Sequence, residues 1–170
     1  MTKEAPRQDG DPMPQYYNIL FCTDFSEHAN TAFLYAFDLA KKYDTFIHML
    51  NVVTPLDPCG TLKPDNGNGG GISDEDTLED LTQQAIGALK VSYGSTLKAN
   101  DIENYKVIVK IGTPDVEIIQ YAKQNGIDII ILGALGRPEA ERMTRVRTAA
   151  NVSKFAPCQV VVIQNSREDD

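Results

Sequence analysis

At 170 residues and 18.7 kDa the chain has the length of one domain, with residues to spare for tails or a long loop. Its 42% apolar and 24% charged residues exclude a collagenous, coiled-coil-only or wholly disordered protein. No run approaches the roughly 18 apolar residues that cross a bilayer, and a net charge of −8 opposes broad electrostatic binding to DNA or RNA.

Residues 1–15 are polar and charged, carry three prolines and show no apolar periodicity. They read as a disordered tail rather than a secretory signal, which points to a cytoplasmic protein. Tyr17-Asn-Ile-Leu-Phe-Cys22 is a short run of strand formers ending at Thr23-Asp24. Ser26 is a good N-cap, and Ala29, Ala32, Phe33, Ala36, Ala40 and Tyr43 follow at helical spacing. Phe46–Val53 is a second apolar strand, so the chain opens β–α–β with lengths suited to a parallel crossover.

Residues 54–73 interrupt the pattern with Pro55, Pro58, Pro64 and a glycine-rich run from Gly67 to Gly71. A loop of this length is either a lid or a flexible insertion. Ser73 and Asp76 match a capping box, and Leu78, Leu81, Ala85 and Leu89 then share a helix face. Tyr105–Ile111 alternates, with Val107 and Val109 on one side and Lys106, Ile108 and Lys110 on the other. Charges on one face place this strand at a sheet edge. Gly112-Thr113-Pro114 starts the next helix, with Thr113 as N-cap and Pro114 at the first helical position. Val116, Ile119 and Ala122 are expected on its inner face, and Asn125-Gly126 ends it. Ile127-Asp-Ile-Ile-Ile-Leu132 is apolar enough for a central strand. A helix through about Phe155, stopped by Pro157, leads to the last strand, Gln159–Ile163, and residues 166–170 form a second polar tail. This alternation specifies an α/β doubly wound fold with a five-stranded parallel sheet over residues 16–165.

In such a sheet ligands bind beyond the strands' carboxyl ends, where the strand order reverses. Asp24 follows the first strand, and Gly133-Ala-Leu-Gly136 follows the fourth. Glycines there let a backbone approach an anion and aim N–H groups at it. Arg137, Arg142, Arg145 and Arg147 fall within eleven residues and are four of the chain's six arginines. They form either a phosphate cradle or a solvated helix face. Asp24 is either a ligand contact or a turn cap. Cys22 and Cys158 beside apolar runs read as core residues, while Cys59 lies in the long loop. His28 reads as a surface residue of the first helical turn, and His48 has no cysteine or histidine partner in sequence. Neither a nucleophile elbow nor a zinc-protease motif is present.

Four segments, in order, resemble the universal stress protein (UspA-like) family. They are Tyr17 to Ser26 with the alanine-rich helix, Lys110-Ile-Gly-Thr-Pro-Asp115, Asp128-Ile-Ile-Ile-Leu-Gly-Ala-Leu-Gly-Arg137, and Ala156-Pro-Cys-Gln-Val-Val-Val-Ile163. The resemblance spans about residues 16–164 and implies strand order 3-2-1-4-5, with helices on both faces. It also implies a homodimer formed through the last strand, Gln159–Ile163, whose apolar edge invites association. By the same resemblance Asp24 and Val52 contact the ribose or adenine side of a nucleotide.

ATP-binding members of the family resemble one another in a loop of Gly, two residues, Gly, nine residues, Gly, then Ser or Thr. Gly133 and Gly136 fit that pattern. Val146 stands at the third glycine and Arg147 at the hydroxyl residue, with Thr148 one place late. A valine there crowds a phosphate and resists positive φ, while Arg137 and Arg147 could contact phosphates by side chain instead. The expected function is a dimeric stress-response binding or signalling module with weak or altered adenine-nucleotide binding. The alternative is an ATP-binding member with slow ATPase or phosphotransferase activity, and a nucleotide-free scaffold is the third reading.

Overall fold

The computed structural model describes residues 16–54, 74–134 and 139–164, with the backbone alone for residues 74–77 and 139–146. Five strands form one parallel sheet: β1 (Asn18–Cys22), β2 (Phe46–Val53), β3 (Tyr105–Ile111), β4 (Ile129–Gly133) and β5 (Gln159–Ile163). The spatial order is β3-β2-β1-β4-β5, with the reversal between β1 and β4. The charged strand β3 lies at an edge, as its alternation requires, and β5 forms the other edge.

Helices cover both faces, because successive residues of each apolar strand point to opposite sides. On one side Ile19, Phe21, Ile47, Met49, Ile129 and Ile131 meet α1 (Glu27–Tyr43), α2 (Asp74–Leu89) and α3 (Ser95–Ala99). On the other Leu20, Cys22, Leu50, Ile130 and Leu132 meet α4 (Pro114–Gln124) and α5 (Glu139–Phe155). Val107 and Val109 join the first core and Ile108 the second, as alternation demands.

Local signals fix most helix ends. Ser26 is extended, and its side chain accepts from the Ala29 amide, closing the first turn of α1. Pro114 opens α4, but the Thr113 side chain makes no capping bond, so this start rests on the proline and on Thr113's extended backbone. Gly126 takes the left-handed conformation after α4. Of the residues expected on the inner face of α4, Ala122 is buried and Ile119 packs partly buried against the second core, joined by buried Ile118 and Tyr121, whereas Val116 is 54% exposed. The helix is turned so that its first apolar residue faces outward. Between α2 and α3 lies a π-helical turn, Lys90–Gly94, which periodicity does not reveal. No helix among the described residues is long and apolar enough to cross a membrane. Residues 55–73, which hold the expected loop, Cys59 and the expected cap Ser73, lie outside the described residues.

Candidate functional site

The site begins with the register of the sheet. Cys22, the last residue of β1, pairs with Leu50 of β2 on one side and Leu132 of β4 on the other, while β4 runs one residue further to Gly133 and β2 three further to Val53. Beyond Cys22 the Thr23 amide still donates to Leu50 O at 3.0 Å, and Asn51 Nδ2 donates to Thr23 O at 2.9 Å. The chain then turns into α1. Asp24 stands exposed in this turn, with its Oδ1 accepting from the Ser26 amide at 2.9 Å. Val52, at the matching level of β2, is half-buried. The aspartate is thus both a turn-shaping group and a carboxylate presented at the point of strand-order reversal.

Gly133 closes β4 at the same crest. A Cβ built there would lie 2.8 Å from the carbonyl carbon of His28 and 2.9 Å from the Ala29 amide nitrogen. The first turn of α1 crosses so closely that no side chain fits. This packing contact is a sufficient reason for glycine, apart from any approach to an anion. Gly136 and Arg137 lie outside the described residues, as do the side chains of Arg142, Arg145 and Val146.

Helix α5 supplies the remaining residues. Asn151 Nδ2 donates to Asp115 Oδ2, which ties α5 to the N-terminal turn of α4, next to the end of β3. Arg147 is one turn earlier, about 6 Å further along the helix toward the crest side. Its side chain is exposed, and Thr148 beside it is half-buried. Position 146 falls inside α5. A helical backbone has negative φ, so valine is unstrained here and the expected objection from positive φ does not apply. From Glu139 onward the residues that follow Gly136 in the sequence pattern are helical.

A family model described as the universal stress protein family matches residues 15–164. The chain belongs to the universal stress protein family. Among its relatives is a universal stress protein of Methanocaldococcus jannaschii, 27% identical over 157 residues, covering 91% of this chain and 85% of the relative. A putative universal stress protein of Staphylococcus haemolyticus is 25% identical over 153 residues, covering 89% and 87%. Among solved structures, UspA from Lactobacillus plantarum superposes with a TM-score of 0.68 at 28% identity, over 89% of this chain and all of that one.

Several residues at this universal stress protein crest carry no sequence motif. Thr23 and Tyr93 are buried, and their hydroxyls lie 2.9 Å apart. Asn51 was detectable as the lone amide in an apolar strand. Tyr93 was not, because its placement depends on the π-helical turn. His48 is remote from the crest and 4% exposed. Its Nδ1 lies 2.9 Å from the Tyr121 hydroxyl, and its Nε2 3.4 Å from Asn18 Oδ1. Burial, reinforced by the nearby Lys106 ammonium, pushes its pKa down to about 4. His28 sits half-buried in the first turn of α1. Burial raises the Cys22 and Cys158 thiols above their ordinary range, so Cys22 behaves as a core residue. Among the described residues no group of three or more His, Cys, Asp or Glu could hold a metal ion.

Proposed function

We propose that this universal stress protein is a dimeric stress-response binding module that takes the nucleoside end of an adenine nucleotide at the β1–β4 crest. One observation carries this reading: Asp24 stands exposed at the reversal of strand order, where open parallel sheets bind ligands. A carboxylate suits ribose hydroxyls, which donate to it, and half-buried Val52 offers an apolar wall for a base. Related folds support the ligand class. One universal stress protein structure is a complex with cAMP (TM-score 0.64, 17% identity), and one from Arabidopsis thaliana has AMP bound (0.54, 13% identity).

The phosphate side is altered. Val146-Arg147 replaces the glycine and hydroxyl residue of ATP-binding members, and position 146 is helical. Arg147, Thr148 and the glycine loop of Gly133, Gly136 and Arg137 remain as phosphate contacts, without a triphosphate cradle. The protein's net charge of −8 also disfavours the most negative nucleotide. Calorimetric titration with AMP tests the site. Binding in the wild type and loss of at least about tenfold affinity in Asp24→Ala, worth about 1.4 kcal/mol, are expected. Equal affinity in the two proteins would remove Asp24 from the site.

A further inference from the structure

The hydrogen bonds beneath Asp24 form a directed chain. The Tyr93 hydroxyl donates to Asn30 Oδ1 at 2.8 Å. Its single proton is then used, so Thr23 Oγ1, 2.9 Å away, donates to it. Thr23 Oγ1 in turn accepts from the Phe25 amide at 2.9 Å. The order is therefore Phe25 N–H, Thr23 O–H, Tyr93 O–H, Asn30 Oδ1. It links the residue after Asp24 to α1 through two side chains that are each less than a tenth exposed.

The same tyrosine meets a strained backbone. Phe25 has φ +60°, a left-handed conformation that bulky residues rarely adopt. Its ring stacks on Tyr93, with centroids 6.2 Å apart and planes 10° from parallel. Tyr93 also packs edge-on against Phe21 and tilted against Phe33, which fixes its ring from below. It comes from the π-helical turn, a local widening that recurs at functional sites. Burial raises the Tyr93 phenol above its ordinary pKa, opposed by the Thr23 hydrogen bond and reinforced by the Asp24 carboxylate. The hydroxyl therefore keeps the proton this chain requires.

We infer that Tyr93 is a positioning residue for the nucleotide site: by stack and hydrogen bond it holds the Phe25 turn in the shape that presents Asp24. It thereby couples the α2–α3 arm to ligand affinity. This inference rests on the nucleotide reading of Asp24 given above. The decisive variant is Tyr93→Phe, which keeps the ring and removes only the hydroxyl. Two readouts apply: AMP affinity by calorimetry, and amide hydrogen exchange at Phe25 and Ser26 without ligand. Affinity is expected to fall about tenfold and exchange at both amides to rise at least about fivefold, consistent with losing one or two hydrogen bonds.

Leu97→Val, in the same core but with no part in the chain of hydrogen bonds, is expected to lower the melting temperature and leave AMP affinity unchanged. A loss of affinity in Leu97→Val equal to that in Tyr93→Phe would overturn the inference, because general loosening would then explain both. Wild-type affinity and wild-type exchange in Tyr93→Phe would overturn it as well. If the wild type binds no AMP, the nucleotide reading fails, and the exchange result alone decides whether Tyr93 shapes the turn.

Discussion

At Gly133 a single added methyl group would press on the backbone of α1, which cannot swing away as a flexible side chain can. Gly133→Ala is expected to destabilise the fold by about 1–3 kcal/mol, the usual range for overpacking, measured by denaturant unfolding. No loss would mean that α1 shifts freely at this contact. His48 gives a pH-dependent prediction. Folded, its pKa is about 4, below the ordinary 6.5. Above pH 6.5 both states are neutral there and the residue contributes no pH dependence. As pH falls from 6.5 toward 4 the unfolded chain takes up the proton and the folded chain does not, so stability is lost by about 1.4 kcal/mol per unit, ~3 kcal/mol over the window. The difference in unfolding free energy between wild type and His48→Gln should therefore drift by that order between pH 7 and pH 4. A constant difference would show that the buried ring is not kept neutral. Neither feature was legible in the sequence. A glycine after a strand looks the same whether a ligand or a helix approaches it, and a histidine in an apolar strand does not announce its tyrosine partner.

Elements were legible where one periodicity ruled. The boundaries expected for β2, β3 and β5 are those found, because buried or alternating strands end abruptly at turn residues. β1 and β4 are each shifted: pairing begins at Asn18 and Ile129, since Asp128 accepts the Tyr17 and Asn18 amides and ends the ladder early. In α4 only Val116 departs from the expected inner face: it lies in the first turn and is exposed, while Ile119 and Ala122 pack inward. The arm from α2 to α3 escaped prediction as a unit, since a π-helical turn resets the helical phase. Contacts between elements are invisible to local patterns altogether. The Asn151–Asp115 hydrogen bond is one, joining residues 36 positions apart on two helices. Asn151→Ala is expected to cost about 1 kcal/mol by denaturant unfolding. A neutral result would assign the α4–α5 packing wholly to Ile118, Ala149 and Val152.

At the scale of the molecule, the parallel order brings residues from distant parts of the chain to one crest, and it leaves β5 as an edge. Its backbone edge faces outward and its valines are only partly covered. The dimer reading predicts a mass twice 18.7 kDa by light scattering at micromolar concentration, and a stable mass of 18.7 kDa would contradict it. The same scale governs ligand choice. Four family-like segments identify the crest, and in the proposed reading one pair, Val146-Arg147, limits what it holds. The proposed crest is a nucleoside site without a triphosphate cradle. Parallel calorimetric titrations with AMP and with ATP and Mg²⁺, on protein first shown to carry no nucleotide, test it most directly. AMP is expected to bind at least as tightly as ATP. No heat from either nucleotide, or ATP binding at least about tenfold tighter than AMP, would contradict it.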